Sequence, residues 1–335
     1  MGKTLVSPPN RCASFPPNGA AVNQAPRTSQ GNHRPMSASA SSGPFGLGCA
    51  IATPVTATGA IDLPRFTAHA QACLDGGCDS LTLFGTTGEG PSFGIAPRQA
   101  AFTAFAAAGL NAQGRLLCGV MTLTEEDALA QAETALAAGC SGLLIAPPCY
   151  FRQVSDDSLF AWFSRVIAPL AGRTRVFLYH IPSMTGVGIS PALVGRLRAA
   201  FPGTVAGVKD SSGSWDNTAA LLADHRDLQI LVGDERQLAR AVREGGSGTI
   251  CGMANIVPEL LQGPAKRGED SPHIAPLIEL AFTHPIIPAL KAMIAHRKQD
   301  MAWRLTREPL PALSEQVVRE LGTAADALLA RKLAA

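Results

Sequence analysis

Eight short apolar runs, at residues 47–55, 80–84, 116–122, 142–146, 175–179, 205–209, 228–232 and 249–252, recur along the chain with helix-like segments between them. A spacing of roughly 20 to 35 residues is that of repeated strand–helix units, and runs without polar alternation read as strands covered on both faces of a parallel sheet. The intervening segments carry matching punctuation. Asp62 is placed to cap a helix with Pro64 in its first turn, and Gly76-Gly77 to end it. Thr124 before Glu125, Glu126 and Asp127 marks a second helix start, Gly139 its end, and Ser190-Pro191 opens another. A faint repeat recurs before strands two, four and eight, where 74–81, 136–143 and 242–249 each place a helix-ending glycine ahead of apolar residues. Eight units in about 210 residues predict an α/β chain folded as a (β/α)8 TIM barrel. The absence of G-x-G-x-x-G after the first strand weighs against a doubly wound dinucleotide-binding sheet.

Outside the eight units the pattern changes. Residues 1–43 are rich in Pro, Ser, Asn, Gly and Gln, contain no acidic residue and lack apolar periodicity, which predicts a disordered N-terminal extension. Its Lys3, Arg11, Arg27 and Arg34 fit a transit peptide poorly, since Pro8, Pro9, Pro16, Pro17 and Pro26 interrupt the amphipathic helix such a peptide uses. Met36, just ahead of a Ser/Ala run, is an alternative start. The barrel is expected over 44–271. Beyond it only helical periodicity is left, at 277–282, 287–296 and 313–329, so 272–335 is expected to form a C-terminal helical module packed on the barrel or on a partner subunit.

Composition narrows the function. With 28 Lys and Arg against 26 Asp and Glu the net charge is +2, too weak a field to imply nucleic acid or an anionic membrane surface. No run reaches the ~18 to 20 apolar residues of a membrane span, so a soluble, cytoplasmic protein acting on small molecules is expected. The eight cysteines (Cys12, Cys49, Cys73, Cys78, Cys118, Cys140, Cys149, Cys251) form no C-x-x-C pair and read as reduced, mostly buried thiols, with no metal site among them.

Barrel chemistry belongs at the C-terminal strand ends, and that is where the unusual polar residues fall. Strand two runs into Gly85-Thr86-Thr87-Gly88-Glu89, a turn whose backbone N–H groups and two hydroxyls can converge on a carboxylate, although an isolated turn of this kind needs glycine anyway. Strand six closes on Lys209. A lysine ending a strand is ordinarily a snorkelling surface group; one desolvated in a barrel mouth loses hydration of its ammonium and becomes an amine able to attack a ketone. The chain has 13 phenylalanines but two tyrosines, Tyr150 and Tyr179, both at strand ends, where a phenol can donate and accept a proton in turn.

Gly85 to Glu89, the segment 179–186 (Tyr-His-Ile-Pro-Ser-Met-Thr-Gly) and the segment 207–212 (Gly-Val-Lys-Asp-Ser-Ser) resemble the signature segments of the dihydrodipicolinate synthase and N-acetylneuraminate lyase family. The resemblance extends from about Gly46 to the C-terminus. It implies a class I, metal-independent pyruvate lyase or aldolase, needing no cofactor and assembled as a homo-oligomer, dimer or tetramer. It implies that Lys209 forms the Schiff base, that Tyr179 passes protons to and from bound pyruvate, and that Thr86 and Thr87 hold the pyruvate carboxylate, Thr87 also joining the relay. Tyr150 resembles the tyrosine offered across the dimer interface, and Gly233 and Ile250 resemble positions lining the pyruvate pocket. Glu89 is expected to support its turn.

Two departures bear on the second substrate. The synthase pattern carries an arginine where this chain has Met184, and methionine offers no charge-assisted donor to a carboxylate-bearing aldehyde. His180 stands in place of the usual asparagine and is read as a residue packed outward, the alternative being that it tunes the second-substrate pocket. Gly90 and Pro91 differ from the polar residues of a lysine-binding regulatory site, so lysine feedback is not expected. The resulting expectation is a dihydrodipicolinate synthase-like enzyme joining pyruvate to an aldehyde. The alternatives are cleavage of a 2-oxo acid, as a 2-keto-3-deoxy sugar acid aldolase or N-acetylneuraminate lyase does, and a barrel that senses a 2-oxo acid without turning it over.

Overall fold

A computed structural model of the chain describes residues 44–330; the extension expected over 1–43 lies outside the described residues. Eight parallel strands close into a barrel in sequence order. They are β1 (Gly46–Ala50), β2 (Ser80–Leu83), β3 (Leu116–Val120), β4 (Gly142–Ile145), β5 (Arg175–His180), β6 (Val205–Asp210), β7 (Gln229–Val232) and β8 (Gly248–Cys251). Every run read as a strand is one. The largest difference is at the end of β1, which leaves the ladder after Ala50 as the chain approaches Pro54, a residue without an amide hydrogen, and Ala52 and Thr53 bond instead to the site-forming loops.

The helices are α1 (Leu63–Asp75), α2 (Ile95–Ala107), α3 (Glu125–Ala137), α4 (Asp156–Ile167), the single turn α5 (Pro182–Thr185), α6 (Pro191–Ala200), α7 (Trp215–Asp224), α8 (Leu238–Arg243) and α9 (Pro258–Arg267). Five of them, α1, α3, α4, α6 and α7, begin at a side-chain acceptor that covers a free amide of the first turn. Asp62 takes the Arg65 amide at 3.1 Å, Thr124 the Asp127 amide at 3.1 Å and Ser190 the Leu193 amide at 3.0 Å. Gly77 and Gly139, at φ +97° and +83°, turn the chain out of α1 and α3 in a conformation that costs a side chain steric strain.

Two apolar layers result from strand alternation. Inside the barrel lie Ala50, Leu117, Leu144, Phe177, Tyr179, Leu231 and Ile250, with Phe45 set edge-on to Phe177 at 5.6 Å to close the N-terminal end. Outside, between sheet and helices, a larger core includes Leu81, Phe105, Leu143, Phe163, Leu197 and Leu261. Removing each such side chain from water contributes about 1.5 to 3 kcal/mol before conformational entropy is counted.

Three further helices follow the connection 268–273: α10 (Ile274–Ala281), α11 (Ile286–Lys298) and α12 (Glu315–Ala330). They share the barrel's outer core, to which Leu277, Leu290, Met293, Trp303, Val318 and Leu321 belong. Among the described residues no single helix is long and apolar enough to cross a membrane; α10 and α11 together pass by composition but meet at a bend of 115°, and α11 is buried along most of its length.

Candidate active site

Strand register sets the centre of the site. In the β5–β6 ladder Tyr179 pairs directly with Lys209, so both side chains leave adjacent strands toward the barrel interior at its C-terminal end. Lys209 is only 4% exposed. Its Nζ donates to the Tyr179 hydroxyl at 3.2 Å and stands 4.3 Å from the phenol ring centroid. Among the described residues no carboxylate pairs with it. Asp210, next in sequence, points the other way, accepting from the Ser212 amide, Asn217 Nδ2 and Thr218 Oγ1 at 2.9, 2.8 and 2.8 Å, and so fixes the loop beyond β6.

Thr86 supplies the next contact, its Oγ1 lying 3.1 Å from the Tyr179 hydroxyl. Thr86, rather than Thr87, is therefore the threonine whose hydroxyl meets the phenol. Phe84 leaves β2 in a left-handed conformation, φ 57°, which breaks strand alternation ahead of Thr86; Thr87 lines the same cavity. The turn is tightly determined. A Cβ on Gly90 would collide with the Phe84 carbonyl, and one on Gly88 would lie 2.8 Å from the Ile51 carbonyl. The buried Arg98 guanidinium donates to the carbonyls of Gly90, Phe93 and Gly119 at 2.8, 3.0 and 2.8 Å, and burial lowers its pKa.

Glu89 supports this turn. Itself left-handed at φ 55°, it forms a fully buried ion pair with Lys291 of α11 and accepts the Arg307 amide at 2.7 Å, while Lys291 also donates to the Thr53 carbonyl at 2.9 Å. Desolvation pulls the Lys291 pKa down, and Glu89 opposes that pull. Two left-handed non-glycine residues cost on the order of 1 to 3 kcal/mol each, and this network over-determines them.

The cavity around Lys209 encloses about 300 Å³. Thr86, Thr87, Tyr179, Gly233 and Ile250 all line it, as the sequence reading expects of a shared pocket. Gly233 has a steric reason: a Cβ there would fall on Ser211 Oγ and lie 3.2 Å from Lys209 Cε. Met184, 52% exposed, forms part of the rim and also of a neighbouring, larger cavity that Met121, Leu123, Ile287 and Leu310 help to line. Tyr150 is not in the Lys209 cavity. It is 79% exposed, left-handed at φ 84°, and packs edge-on against Phe151 at 5.4 Å. His180 points outward, its Nδ1 accepting the Ile189 amide at 2.9 Å, and burial lowers its pKa against the pull of Asp210.

Asp234, Glu235 and Arg236 are charged residues of the cavity that escaped the sequence reading. Glu235 is buried with its carboxylate accepting the Met253 amide at 2.9 Å, and desolvation raises its pKa. Arg236 is committed to Asp234 through Nε and Nη2 at 2.9 and 2.7 Å. An Asp-Glu-Arg run after strand seven was the available signal. Among the described residues no cluster of three or more His, Cys, Asp or Glu is arranged to hold a metal ion.

Known proteins resemble this chain to different degrees. A dihydrodipicolinate synthase from Agrobacterium tumefaciens superposes with a TM-score of 0.82 at 48% identity, covering 85% of this chain and 99% of that one. The fold alone is shared with a 2-keto-3-deoxygluconate aldolase variant from Sulfolobus solfataricus, at a TM-score of 0.74 and 20% identity over 85% of this chain and 96% of that one. By sequence, 4-hydroxy-tetrahydrodipicolinate synthase 1 of Streptomyces coelicolor is 37% identical over 222 residues, covering 66% of this chain and 70% of that protein. A DapA-like lyase of Chloroflexus aurantiacus is 29% identical over 295 residues, 86% of this chain and 98% of that protein. The family model of the dihydrodipicolinate synthetases matches residues 44–328, from the residues before β1 almost to the end of α12, and with the closed barrel and lyase relatives this means that the chain belongs to the dihydrodipicolinate synthetase family of lyases.

Proposed function

We propose that the chain is a Schiff-base-forming pyruvate lyase or aldolase, dihydrodipicolinate synthase-like in its chemistry, that joins a pyruvate enamine to an aldehyde or runs the reverse cleavage of a 2-oxo acid. The observation that carries this reading is the buried chain from Lys209 Nζ through the Tyr179 hydroxyl to Thr86 Oγ1. The Lys209 amine adds to the C2 carbonyl of pyruvate, and loss of water leaves an iminium. The iminium withdraws electrons, a methyl proton departs, and the enamine carbon bonds to the aldehyde carbon while the aldehyde oxygen takes a proton. Hydrolysis of the resulting iminium returns Lys209. Tyr179 and Thr86 are placed to carry these protons, and Thr87 to hold the pyruvate carboxylate. Tyr150, exposed on the single chain, completes the relay of a second copy in a homo-oligomer.

Two features favour an uncharged, hydroxylated aldehyde over aspartate semialdehyde. Met184 stands where the synthase pattern has a guanidinium, and the one arginine lining the cavity, Arg236, has its fork occupied by Asp234. Ser183, Ser211, Ser212 and Asp234 offer hydroxyl-binding groups instead. Identity to the Agrobacterium synthase supports the opposite choice.

Borohydride reduction in the presence of pyruvate is expected to leave a stable pyruvyl adduct on Lys209, read by peptide mapping; no adduct, or one on another lysine, sinks the mechanism. With pyruvate saturating, kcat/KM for glyceraldehyde is expected to exceed that for aspartate semialdehyde at least about tenfold, a difference of about 1.4 kcal/mol. The reverse order makes the enzyme a true synthase. An adduct without turnover of any aldehyde or 2-oxo acid makes it a sensor.

A further inference from the structure

Cysteines 24 and 29 residues from Cys49 in the sequence meet it behind β1. Cys49 faces outward from β1, and its Sγ lies 4.0 Å from Cys73 Sγ on α1, in the outer core that also holds Cys78. His69, one helical turn before Cys73, presents its ring at 3.7 to 3.9 Å from the Cys73 sulfur, held in place by Trp303 edge-on at 4.6 Å. The tautomer of this ring follows from its neighbour. Asn255 donates through Nδ2 to the carbonyls of Ala50 and Gly252 at 2.9 and 2.8 Å, so its Oδ1 accepts, from the Ala52 amide at 2.9 Å and from His69 Nε2 at 3.0 Å. That leaves His69 Nδ1 for the thiol. His69, Cys73 and Asn255 line a cavity of about 280 Å³, separate from the catalytic one, whose wall also carries Arg297 and Lys298.

We propose that Cys73 and Cys49 form a peroxide-reactive thiol pair, Cys73 the attacking thiol and Cys49 the resolving one. The cavity reaches a sulfur that an imidazole touches and Lys298 attracts, with a second thiol in contact, while Arg297 on the same wall is paired with Glu259. The Cys49 S–H directed at it, followed by His69 and Lys298, holds the Cys73 thiol below its ordinary range despite burial. In the first step the Cys73 thiolate attacks one oxygen of hydrogen peroxide, the O–O bond breaks, and hydroxide leaves to be protonated as water. Cys73 is then a sulfenic acid. Cys49 sulfur attacks Cys73 sulfur, the S–O bond breaks, and the Cys49 proton leaves with the hydroxyl as a second water. Two thiols are oxidised and one peroxide reduced. Closing 4.0 Å to a bond of about 2.05 Å draws α1 toward β1.

The test uses the full chain with Cys12 and the exposed Cys149 each changed to serine, treated with hydrogen peroxide, alkylated and digested without reductant. The expected result is a Cys49–Cys73 linked peptide in the majority of chains, two hydrogens lighter than its parts, removed by dithiothreitol and absent after Cys73→Ser. In Cys49→Ser, Cys73 is expected to be labelled by dimedone. Recovery of both cysteines as free thiols from folded protein overturns the proposal, as does oxidation of Cys73 to sulfinic acid with no linked peptide, or absence of dimedone label in Cys49→Ser.

Discussion

Lys209→Ala is expected to lose at least about 10⁴-fold in kcat together with all borohydride adduct, since removing a covalent nucleophile removes the whole pathway and not one interaction in it. Tyr179→Phe separates the two roles at that centre. The ring, and with it the surface 4.3 Å from Lys209 Nζ, stays, while the hydroxyl that links Lys209 to Thr86 goes. Adduct should still form, and kcat should fall about 10²- to 10⁴-fold, the range for a positioned acid–base group. Single-turnover measurements distinguish the cases: a Tyr179→Phe enzyme that releases product at the wild-type rate means the phenol packs the barrel and moves no proton.

Lys291→Met is expected to unfold the chain early although Lys291 touches no substrate. The substitution leaves Glu89 fully buried without its partner, a situation that costs about 3 to 5 kcal/mol. At roughly 2 to 4 °C per kcal/mol for a chain of this size, Tm should drop by about 6 to 20 °C. Pairing Lys291→Met with Glu89→Gln should recover most of it, because the uncompensated charge is then gone. A loss under about 1 kcal/mol in the single variant would mean that water reaches the pair.

Much of the barrel was legible because its signals are local. Continuous apolar runs, capping oxygens at Asp62, Thr124 and Ser190, and helix-ending glycines each act within a few residues. Lys209 and Tyr179 were legible for a related reason: both terminate runs, and parallel strands bring run ends to one rim. What escaped depends on the third dimension. Which of two adjacent threonines meets the phenol is decided by the left-handed Phe84, a backbone choice its side chain does not announce. The Glu89–Lys291 pair spans 202 residues and Asn255–His69 spans 186. Cys49 and Cys73, 24 residues apart in the sequence, are neighbours in space, and only the fold shows that the histidine one turn before Cys73 faces the same thiol pair.

The pairing of Tyr179 with Lys209 in the strand ladder has a consequence for how such an enzyme can diversify. Lys209 and Tyr179 are spaced by the frame of the sheet, whereas Ser183 and Met184, in the short turn α5, and Arg236, on the walls around them, lie in the stretches between strands and the longer helices. Insertions or exchanges in those connections can change which aldehyde enters without moving the amine relative to the hydroxyl. Inheritance can keep the reaction while substrate preference drifts.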